Sequence, residues 1–241
     1  MEKFIKNLST VITSVLFYII ASYVYLSHKG FVYENGTFTL VKEANAAPQT
    51  EPLQFANKID SQIAINFKTD NAVGDKNAPL TLFEFSSLGC SHCADFHLNI
   101  LPELKKDFVD TGKLKIVFVN FPLDAKSMKG AMISECLTAD KKEKFINTAF
   151  LKQREWMLSF KTEDMLVKYA IDEDFTKEQA DSCLADDSLA KNILADRQEA
   201  IDKLKMQGTP AFLFSSNGLN EIIYGVPAYE ELKEYIESRL Q

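Results

Sequence analysis

The sequence predicts an α/β fold in which one small sheet is interrupted by a long helical block. Short apolar runs with the composition of strands lie at residues 80–85, 113–122 and 211–224, and a helical pattern separates the first two. Residues 125–205 then follow helical spacing almost throughout. Because strand, helix and strand in succession favour a parallel pair, and the last run reads as a hairpin, we expect both ends of this region to build one sheet.

The composition is that of a folded protein that does not bind nucleic acid. Of 241 residues, 46% are hydrophobic and 25% are charged, values typical of globular chains. That length suits a single mature domain with an elaboration. The formal net charge is −7 and no basic run is evident, which argues against a nucleic-acid partner.

The N-terminus predicts export. Lys3 and Lys6 precede an uncharged stretch, residues 7–27, that is just long enough to span a bilayer. Residues 1–27 are therefore interpreted as a signal peptide or a membrane anchor, and both remain open because the nearest A-x-A motif, at Ala44, lies well downstream. In either case the lysines favour an inside N-terminus, so the rest of the chain is expected outside the cytoplasmic membrane.

Residues 28–58 are interpreted as a tether, since they are weakly patterned and contain Pro48 and Pro52 near their end. The folded domain is expected to span residues 59–241. Its first strand is expected at residues 63–67, where apolar residues alternate with others.

Local signals also predict the order of elements around the first half of the sheet. Residues 80–85 are apolar on both faces, which is typical of a central strand. A helix is expected to follow Cys93 and to kink at Pro102, which lies inside its apolar pattern. The next strand, at residues 113–122, ends at Pro122.

Further signals mark the helical block and the end of the chain. Thr176 and Gln179 form a candidate capping box before a helix that carries Cys183. The long helix after it is expected to end at Gly208, because glycine is the usual residue past a helix end. After the hairpin, Pro227 opens a final helix.

The residues that carry chemistry are two cysteines at the predicted strand-to-helix junction. Cys90 lies at the helix start, where unpaired backbone N–H groups and the helix dipole favour a thiolate, and Cys93 lies one turn inside. Cys90 is therefore the candidate nucleophile and Cys93 the resolving partner of a redox-active disulfide. His92 can add a positive charge or a hydrogen bond, and a stabilised thiolate favours the reduced form, which makes the disulfide a stronger oxidant.

These residues resemble a known family. Cys-Ser-His-Cys at residues 90–93, after an aromatic-rich strand, looks like the active site of the DsbA-like branch of the thioredoxin superfamily. Gly-Thr-Pro at residues 208–210 is similar to the family's cis-proline loop, Glu84 matches an acidic residue on the strand leading into its active site, and Pro102 falls at its helix kink. The helical block at residues 125–205 corresponds to its insertion domain.

The resemblance covers roughly residues 60–240 and implies a thioredoxin fold with an inserted helical domain. It implies that Thr209 and Pro210 pack beside the disulfide, with the Thr209 backbone pairing an extended substrate. It places Glu84 beneath the pair, where it would exchange a proton with Cys93. One departure is Ser91, which stands where proline is common in that branch and so bears on the redox poise.

The function that follows is a protein-disulfide oxidoreductase that introduces disulfides into exported, folding proteins in the periplasm. The resemblance implies a quinone-linked membrane oxidase as the recycling partner, and no cofactor is expected. An uncleaved N-terminal segment would add a membrane contact. The remaining cysteines, Cys136 and Cys183, are both in the helical block of an exported chain, which favours a structural disulfide over two ordinary buried cysteines.

Two other functions compete with this one. The first is a reductase or isomerase that a membrane thiol donor keeps reduced. The second is a membrane-tethered binding or chaperone module whose cysteine pair is structural or holds metal. Cys90, His92, Cys93 and His97 include the C-x2-C spacing of zinc sites, but no second pair of ligands stands elsewhere, so no metal is expected.

Overall fold

A computed structural model describes residues 31–34, 37–40, 57–59, 67, 72–216 and 219–241; for the three strands before residue 60, and for residue 219, it describes the backbone alone. The chain divides into two compact units, Met1–Pro52 and Leu53–Gln241. The first contains an antiparallel hairpin of β1 (Phe31–Glu34) and β2 (Thr37–Leu40). The predicted signal or anchor, residues 1–27, lies outside the described residues.

The second unit is built on one five-stranded sheet. Its strands are β3 (Asn57–Ile59), β4 (Leu80–Ser86), β5 (Leu114–Asn120), β6 (Ala211–Ser216) and β7 (Leu219–Tyr224). Their order across the sheet is β3-β7-β6-β4-β5, with β4 parallel to β5 and the other neighbours antiparallel. The predicted parallel pair and the C-terminal hairpin are therefore confirmed.

The first strand of this sheet begins earlier in the chain than the sequence predicts. β3 begins within the stretch interpreted as a tether, residues 28–58, and it pairs with β7. Of the strand predicted at residues 63–67, only Phe67 is described, and it is buried outside any strand. The three residues of β3, Asn-Lys-Ile, are too few to show an alternation in the sequence, and the strand is recognised only by its backbone pairing with β7.

Alternation along β4 divides the core between the two faces of the sheet. Leu82 packs into the larger core, together with the helix that follows the cysteine pair and with the helical block. Phe83 and Phe85 pack into a second core on the opposite face. Because successive side chains of a strand point to opposite faces, Glu84 shares the face of Leu82 and is directed toward the larger core.

The helix after Cys90 is broken into short segments. It comprises α1 (Ser91–Asp95), a π-helical turn (Phe96–Ile100), α2 (Leu101–Leu104) and a second π-helical turn (Lys105–Val109). Pro102 lies in the first turn of α2. Since proline has no N–H to donate to the carbonyl four residues earlier, regular helical bonding cannot pass through this position, and the interruption falls where the sequence predicts the kink.

Helices fill the chain between β5 and β6. They are α3 (Ala125–Glu135), α4 (Ala139–Leu151), α5 (Gln153–Leu158), α6 (Thr162–Ile171), α7 (Lys177–Leu184) and α8 (Asp187–Leu204). The final helix, α9 (Tyr229–Arg239), follows the hairpin. No helix in the described part of the chain is long and apolar enough to cross a membrane.

Two helix ends test the local sequence signals. The capping box before α7 is present, with Thr176 and Gln179 bonding each other's backbone N–H groups. The predicted end of the long helix at Gly208 is wrong, because α8 ends at Leu204. Lys205 there adopts the left-handed conformation with φ 56°, so a lysine occupies the position that glycine usually takes.

Candidate active site

The start of α1 holds Cys90 at the surface and Cys93 in the core. Cys90 is the residue that caps α1, in an extended conformation, and its N–H donates to the carbonyl of Ser87 at 2.9 Å. Its side chain is half-buried, whereas Cys93 has no exposed surface. Both cysteines are free thiols, so the structure describes the reduced pair, with one sulfur open to attack and the other enclosed.

The surroundings of Cys90 favour its thiolate. A hydrogen bond from the Cys93 thiol, supported by the backbone N–H groups of Cys93 and His92, outweighs the effect of burial and lowers the pKa of Cys90 to about 5. His92 itself is exposed, and the contact it makes here comes from its backbone, although the sequence suggested its imidazole. Ser91 is also exposed.

The surroundings of Cys93 favour its thiol. Burial is the main cause that raises the pKa of Cys93 far above its ordinary value, and its hydrogen bond to Cys90 acts in the same direction. In the reduced pair the negative charge therefore rests on Cys90 and the proton on Cys93.

A loop distant in sequence lies beside this pair. The peptide bond between Thr209 and Pro210 is cis, and the loop leads directly into β6, the neighbour of β4. The carbonyl oxygen of Thr209 lies 3.3 Å from the sulfur of Cys90 and accepts from the thiol when Cys90 is protonated. Pro210 is buried and Thr209 is half-buried. The structure thus brings the Gly-Thr-Pro loop and the cysteine motif together.

Glu84 lies in the core on the face of β4 toward the active-site helix, paired with a histidine. Its Oε1 is 2.8 Å from Nε2 of His97, and neither side chain has any exposed surface. The His97 ring packs between Phe118 and Phe150, with ring centroids 5.3 and 4.6 Å away. Among the described residues the other Glu84 oxygen and the other His97 nitrogen have no partner, so this is a sparsely bonded polar pair in an apolar layer.

Sequence reasoning missed His97 except as a candidate zinc ligand. A signal was present, because His97 lies four residues after Cys93 and therefore on the same face of the helix. In the structure, His97 is hydrogen-bonded to Glu84 instead. In the part of the chain that the structure describes, no three His, Cys, Asp or Glu side chains are grouped as metal ligands.

The helical block holds the turn before Cys90. Gln153, the first residue of α5, donates from Nε2 to the carbonyls of Leu88 and Cys90, at 2.7 and 2.9 Å. Gly89 allows the start of α3 to lie close to this turn. A Cβ at residue 89 would collide with the Ser127 hydroxyl and lie 2.9 Å from a carboxylate oxygen of Asp124. No sequence signal identified Gln153, because its partners are more than sixty residues away.

The second cysteine pair lies in the helical block. A disulfide joins Cys136, at the end of α3, to Cys183 on α7, across a sequence separation of 47. Cys183 is buried among the side chains of the larger core. This bond ties two helices together and leaves Cys90 and Cys93 as the free thiols of the chain.

A half-exposed thiolate at a helix start, an enclosed second thiol and an adjoining cis-proline loop define a site for thiol–disulfide exchange. Comparison with known proteins agrees. A family model described as thioredoxin matches residues 66–238. Disulfide bond formation protein D of Bacillus subtilis is 27% identical over 185 residues, which span 73% of this chain and 79% of that protein.

Two solved structures share the fold over most of their length. The α-DsbA1 protein of Wolbachia pipientis is 26% identical, covers 75% of this chain and 95% of its own, and superposes with a TM-score of 0.67. BdbD of Bacillus subtilis, in its oxidised form, is 25% identical and has a TM-score of 0.61; the match covers 77% of this chain and 97% of BdbD. For a putative protein-disulfide oxidoreductase of Rickettsia bellii, the match covers 66% of that protein's length, so the chain spans only about two thirds of this relative.

The chain therefore belongs to the thioredoxin family, among its DsbA-like thiol–disulfide oxidoreductases. The thioredoxin fold with an inserted helical domain, expected from the motif, is confirmed.

Proposed function

We propose that the chain oxidises the thiols of folding proteins outside the cytoplasm, through a Cys90–Cys93 disulfide. The observation that carries this proposal is the opposite shift of the pKa values of the two cysteine thiols. The pKa of Cys90 is lowered to about 5, whereas burial raises that of Cys93. Surroundings that stabilise the thiolate of the reduced pair make the disulfide the less stable form, and so a good acceptor of electrons.

The reaction proceeds in two exchanges. A substrate thiolate attacks Cys90, the Cys90–Cys93 bond breaks, a substrate–Cys90 disulfide forms, and Cys93 leaves and takes up a proton. A second substrate thiolate then attacks the substrate sulfur of this mixed disulfide, and Cys90 leaves as a thiolate. The substrate has lost two electrons and gained a disulfide, and the enzyme pair is reduced. A low pKa suits Cys90 to its role as leaving group in the second exchange.

The neighbours of the pair are assigned roles in these steps. Thr209 and Pro210 form one wall of the substrate site, since the Thr209 carbonyl lies within 3.3 Å of the attacked sulfur. Glu84, buried on the strand that leads into the site and hydrogen-bonded to His97, is assigned the exchange of a proton with Cys93, which must gain and lose one. Ser91 and His92, both exposed between the two cysteines, are assigned the tuning of the redox poise of the pair.

The compartment and partners belong to the same proposal. The basic and apolar N-terminus supports export to the periplasm, with residues 1–27 as signal peptide or anchor ahead of the catalytic domain. The substrates are then exported proteins with reduced cysteines. Each turnover leaves the enzyme reduced, so a quinone-linked membrane oxidase is assigned as the partner that restores its disulfide.

The proposal is tested by mixing the oxidised full-length chain with a reduced, denatured ribonuclease in equal amounts. We expect two thiols to disappear from the substrate and two to appear on the enzyme, with Cys90→Ser inactive and a Cys136→Ser, Cys183→Ser double variant active. Faster reduction of insulin than oxidation of ribonuclease would favour a reductase instead. A Cys90→Ser variant that still prevents ribonuclease aggregation as well as the parent would favour a binding or chaperone module.

A further inference from the structure

The segment from the end of α4 to the start of α6, residues 151–161, carries the most exposed large apolar side chains of the described residues. Leu151 is 71% exposed, Leu158 is 72% exposed, and Phe160 is fully exposed. Large apolar groups so exposed and so close in sequence are unusual on a soluble surface and mark a contact site. This segment is called the apolar turn below.

The apolar turn is anchored to the fold by a buried side chain and by hydrogen bonds. Its Trp156 is completely buried, and the indole N–H donates to the Ala149 carbonyl at 2.7 Å. The Thr162 hydroxyl lies 2.9 and 3.0 Å from the carbonyl oxygens of Trp156 and Ser159. Phe160 is therefore held outward by the bonded residues on either side of it.

The apolar turn is positively charged in an acidic protein. Lys152, Arg154 and Lys161 lie within it, against one carboxylate, Glu155, while the whole chain carries a net charge of −7. Lys126 adds a further cation from α3, because its Nζ donates to the carbonyls of Met157 and Ser159 at 2.6 and 2.8 Å. Cations and protruding apolar groups are thus concentrated on one surface element.

We infer that the apolar turn binds the surface of an anionic lipid bilayer, with Phe160 and Leu158 entering the headgroup layer. Apolar side chains that protrude between cations suit a bilayer, where the chains enter the acyl boundary and the cations meet lipid phosphates. Phe160 protrudes fully and is followed directly by Lys161, so an apolar group and a cation would reach the bilayer together. The lysine and arginine stems add apolar contact while their charges stay in the headgroups.

This contact would fix the orientation of the active site. Gln153 belongs to the apolar turn and donates to the Cys90 carbonyl, so a bilayer bound there lies on the side of the molecule that carries Cys90. The orientation matters for recycling only under the proposed function, since a membrane oxidase would then meet Cys90 directly. Lipid binding itself does not depend on any redox role.

The test uses the full-length chain in vesicles and the indole fluorescence of introduced tryptophans. The native Trp156 is buried and supplies a constant background. A Phe160→Trp variant reports on the apolar turn, and a Leu194→Trp variant, at a half-exposed position on α8, is the matched control. Each is reconstituted in phosphatidylcholine vesicles with and without phosphatidylglycerol, in which the lipid tails carry bromine as a quencher. Every variant carries the same N-terminal apolar segment, so differences report on the position alone.

We expect bromine to quench the Phe160→Trp emission at least threefold more than the Leu194→Trp emission, in the phosphatidylglycerol vesicles only. Adding Arg154→Glu and Lys161→Glu should remove that difference, as should high salt. Equal quenching at the two positions, or equal quenching with and without anionic lipid, would overturn the inference. Loss of recycling in Phe160→Ser without any quenching of Phe160→Trp would assign the turn to a protein partner instead. Thiol oxidation of denatured ribonuclease should be unchanged in all these variants, which separates this test from that of the redox function.

Discussion

The chain contains two pairs of cysteines that the fold treats in opposite ways. Cys90 and Cys93 are three residues apart at a helix start, are both free, and differ sharply in burial. Cys136 and Cys183 are 47 residues apart, join two helices and are bonded to each other. The spacing of two cysteines and the exposure of their sulfurs therefore decide whether they react with substrates or form a structural cross-link.

The difference begins in the backbone around each sulfur. Cys90 lies where the N–H groups of His92 and Cys93 are not used by the helix, and they can stabilise a thiolate. Cys136 lies instead at the C-terminal end of α3, where carbonyl groups are unpaired and a thiolate gains nothing. A bonded Cys136–Cys183 pair also restrains the unfolded chain over a long loop, which two cysteines of a short motif cannot do.

The largest expected effect comes from removing the reactive sulfur. Cys90→Ser should abolish thiol oxidation of a reduced substrate protein, since a serine hydroxyl cannot form the mixed disulfide. We expect a loss of about a thousandfold or more, down to the uncatalysed rate, measured as the disappearance of substrate thiols. The Cys136→Ser, Cys183→Ser double variant is the control and should retain most of the activity. Equal loss in both would show that the two pairs are not functionally distinct.

Removing the cross-link should affect stability instead. Cys136→Ala with Cys183→Ala should lower the free energy of unfolding by about 2–4 kcal/mol, because a loop of this length gains conformational entropy in the unfolded chain. Urea denaturation followed by circular dichroism measures this change. The alkylation rate of Cys90 at neutral pH should remain that of the parent. A change in that rate would mean that the disulfide also shapes the active site.

A smaller effect is expected where the helical block meets the turn before Cys90. Gly89→Ala places a methyl group against the Ser127 hydroxyl and the Asp124 carboxylate and should destabilise the domain by about 1–3 kcal/mol. Gly208→Ala is the matched control, because a Cβ there meets nothing within 4 Å, and its effect should stay within about 0.5 kcal/mol. Thermal unfolding of the two variants measures the difference. Similar losses would indicate that the turn is not closely packed.

The smallest effect is a pH dependence confined to the reduced pair. The pKa of Cys90 is about 5 in the folded protein, below its ordinary value of 9.0, so its thiolate stabilises the reduced fold fully above pH 9. That stabilisation is lost progressively as the pH falls from about 9 to about 5. Cys93 adds no slope there, because a raised pKa changes stability only above the ordinary value.

Urea unfolding of the reduced and oxidised protein at several pH values between 4 and 8 measures this dependence. On acidification, the free energy of unfolding of the reduced form should fall relative to that of the oxidised form. The Cys90→Ala variant should show no such change. Because Cys90 is half-exposed, solvent screens the effect and keeps it modest. If the free energy of unfolding of the reduced form rose at low pH relative to that of the oxidised form, the assignment of the thiolate to Cys90 would be contradicted.

Sequence reasoning succeeded where a feature depends on neighbouring residues. The strand before Cys90, the interruption at Pro102 and the capping box at Thr176 each follow from a few adjacent positions. The DsbA-like family followed from the cysteine motif together with Gly-Thr-Pro at residues 208–210.

It failed where a feature depends on distant partners. β3 exists because β7 offers an edge to pair with, and Gln153 matters because the fold brings α5 to the turn before Cys90. His97 was visible as a polar residue on the core face of its helix, but its pairing with Glu84 required knowing which face of β4 the helix covers. Such contacts have no local pattern in the sequence.

The central claim is that the surroundings of Cys90 and Cys93 stabilise the reduced pair and make its disulfide an oxidant. The most direct measurement is the reduction potential of this pair, from equilibration of the protein in glutathione buffers of known ratio. The account predicts a value more oxidising than about −200 mV, with Cys90 ionised in the reduced form. A value near that of thioredoxin, about −270 mV, would contradict it and assign the chain to the reduction of disulfides.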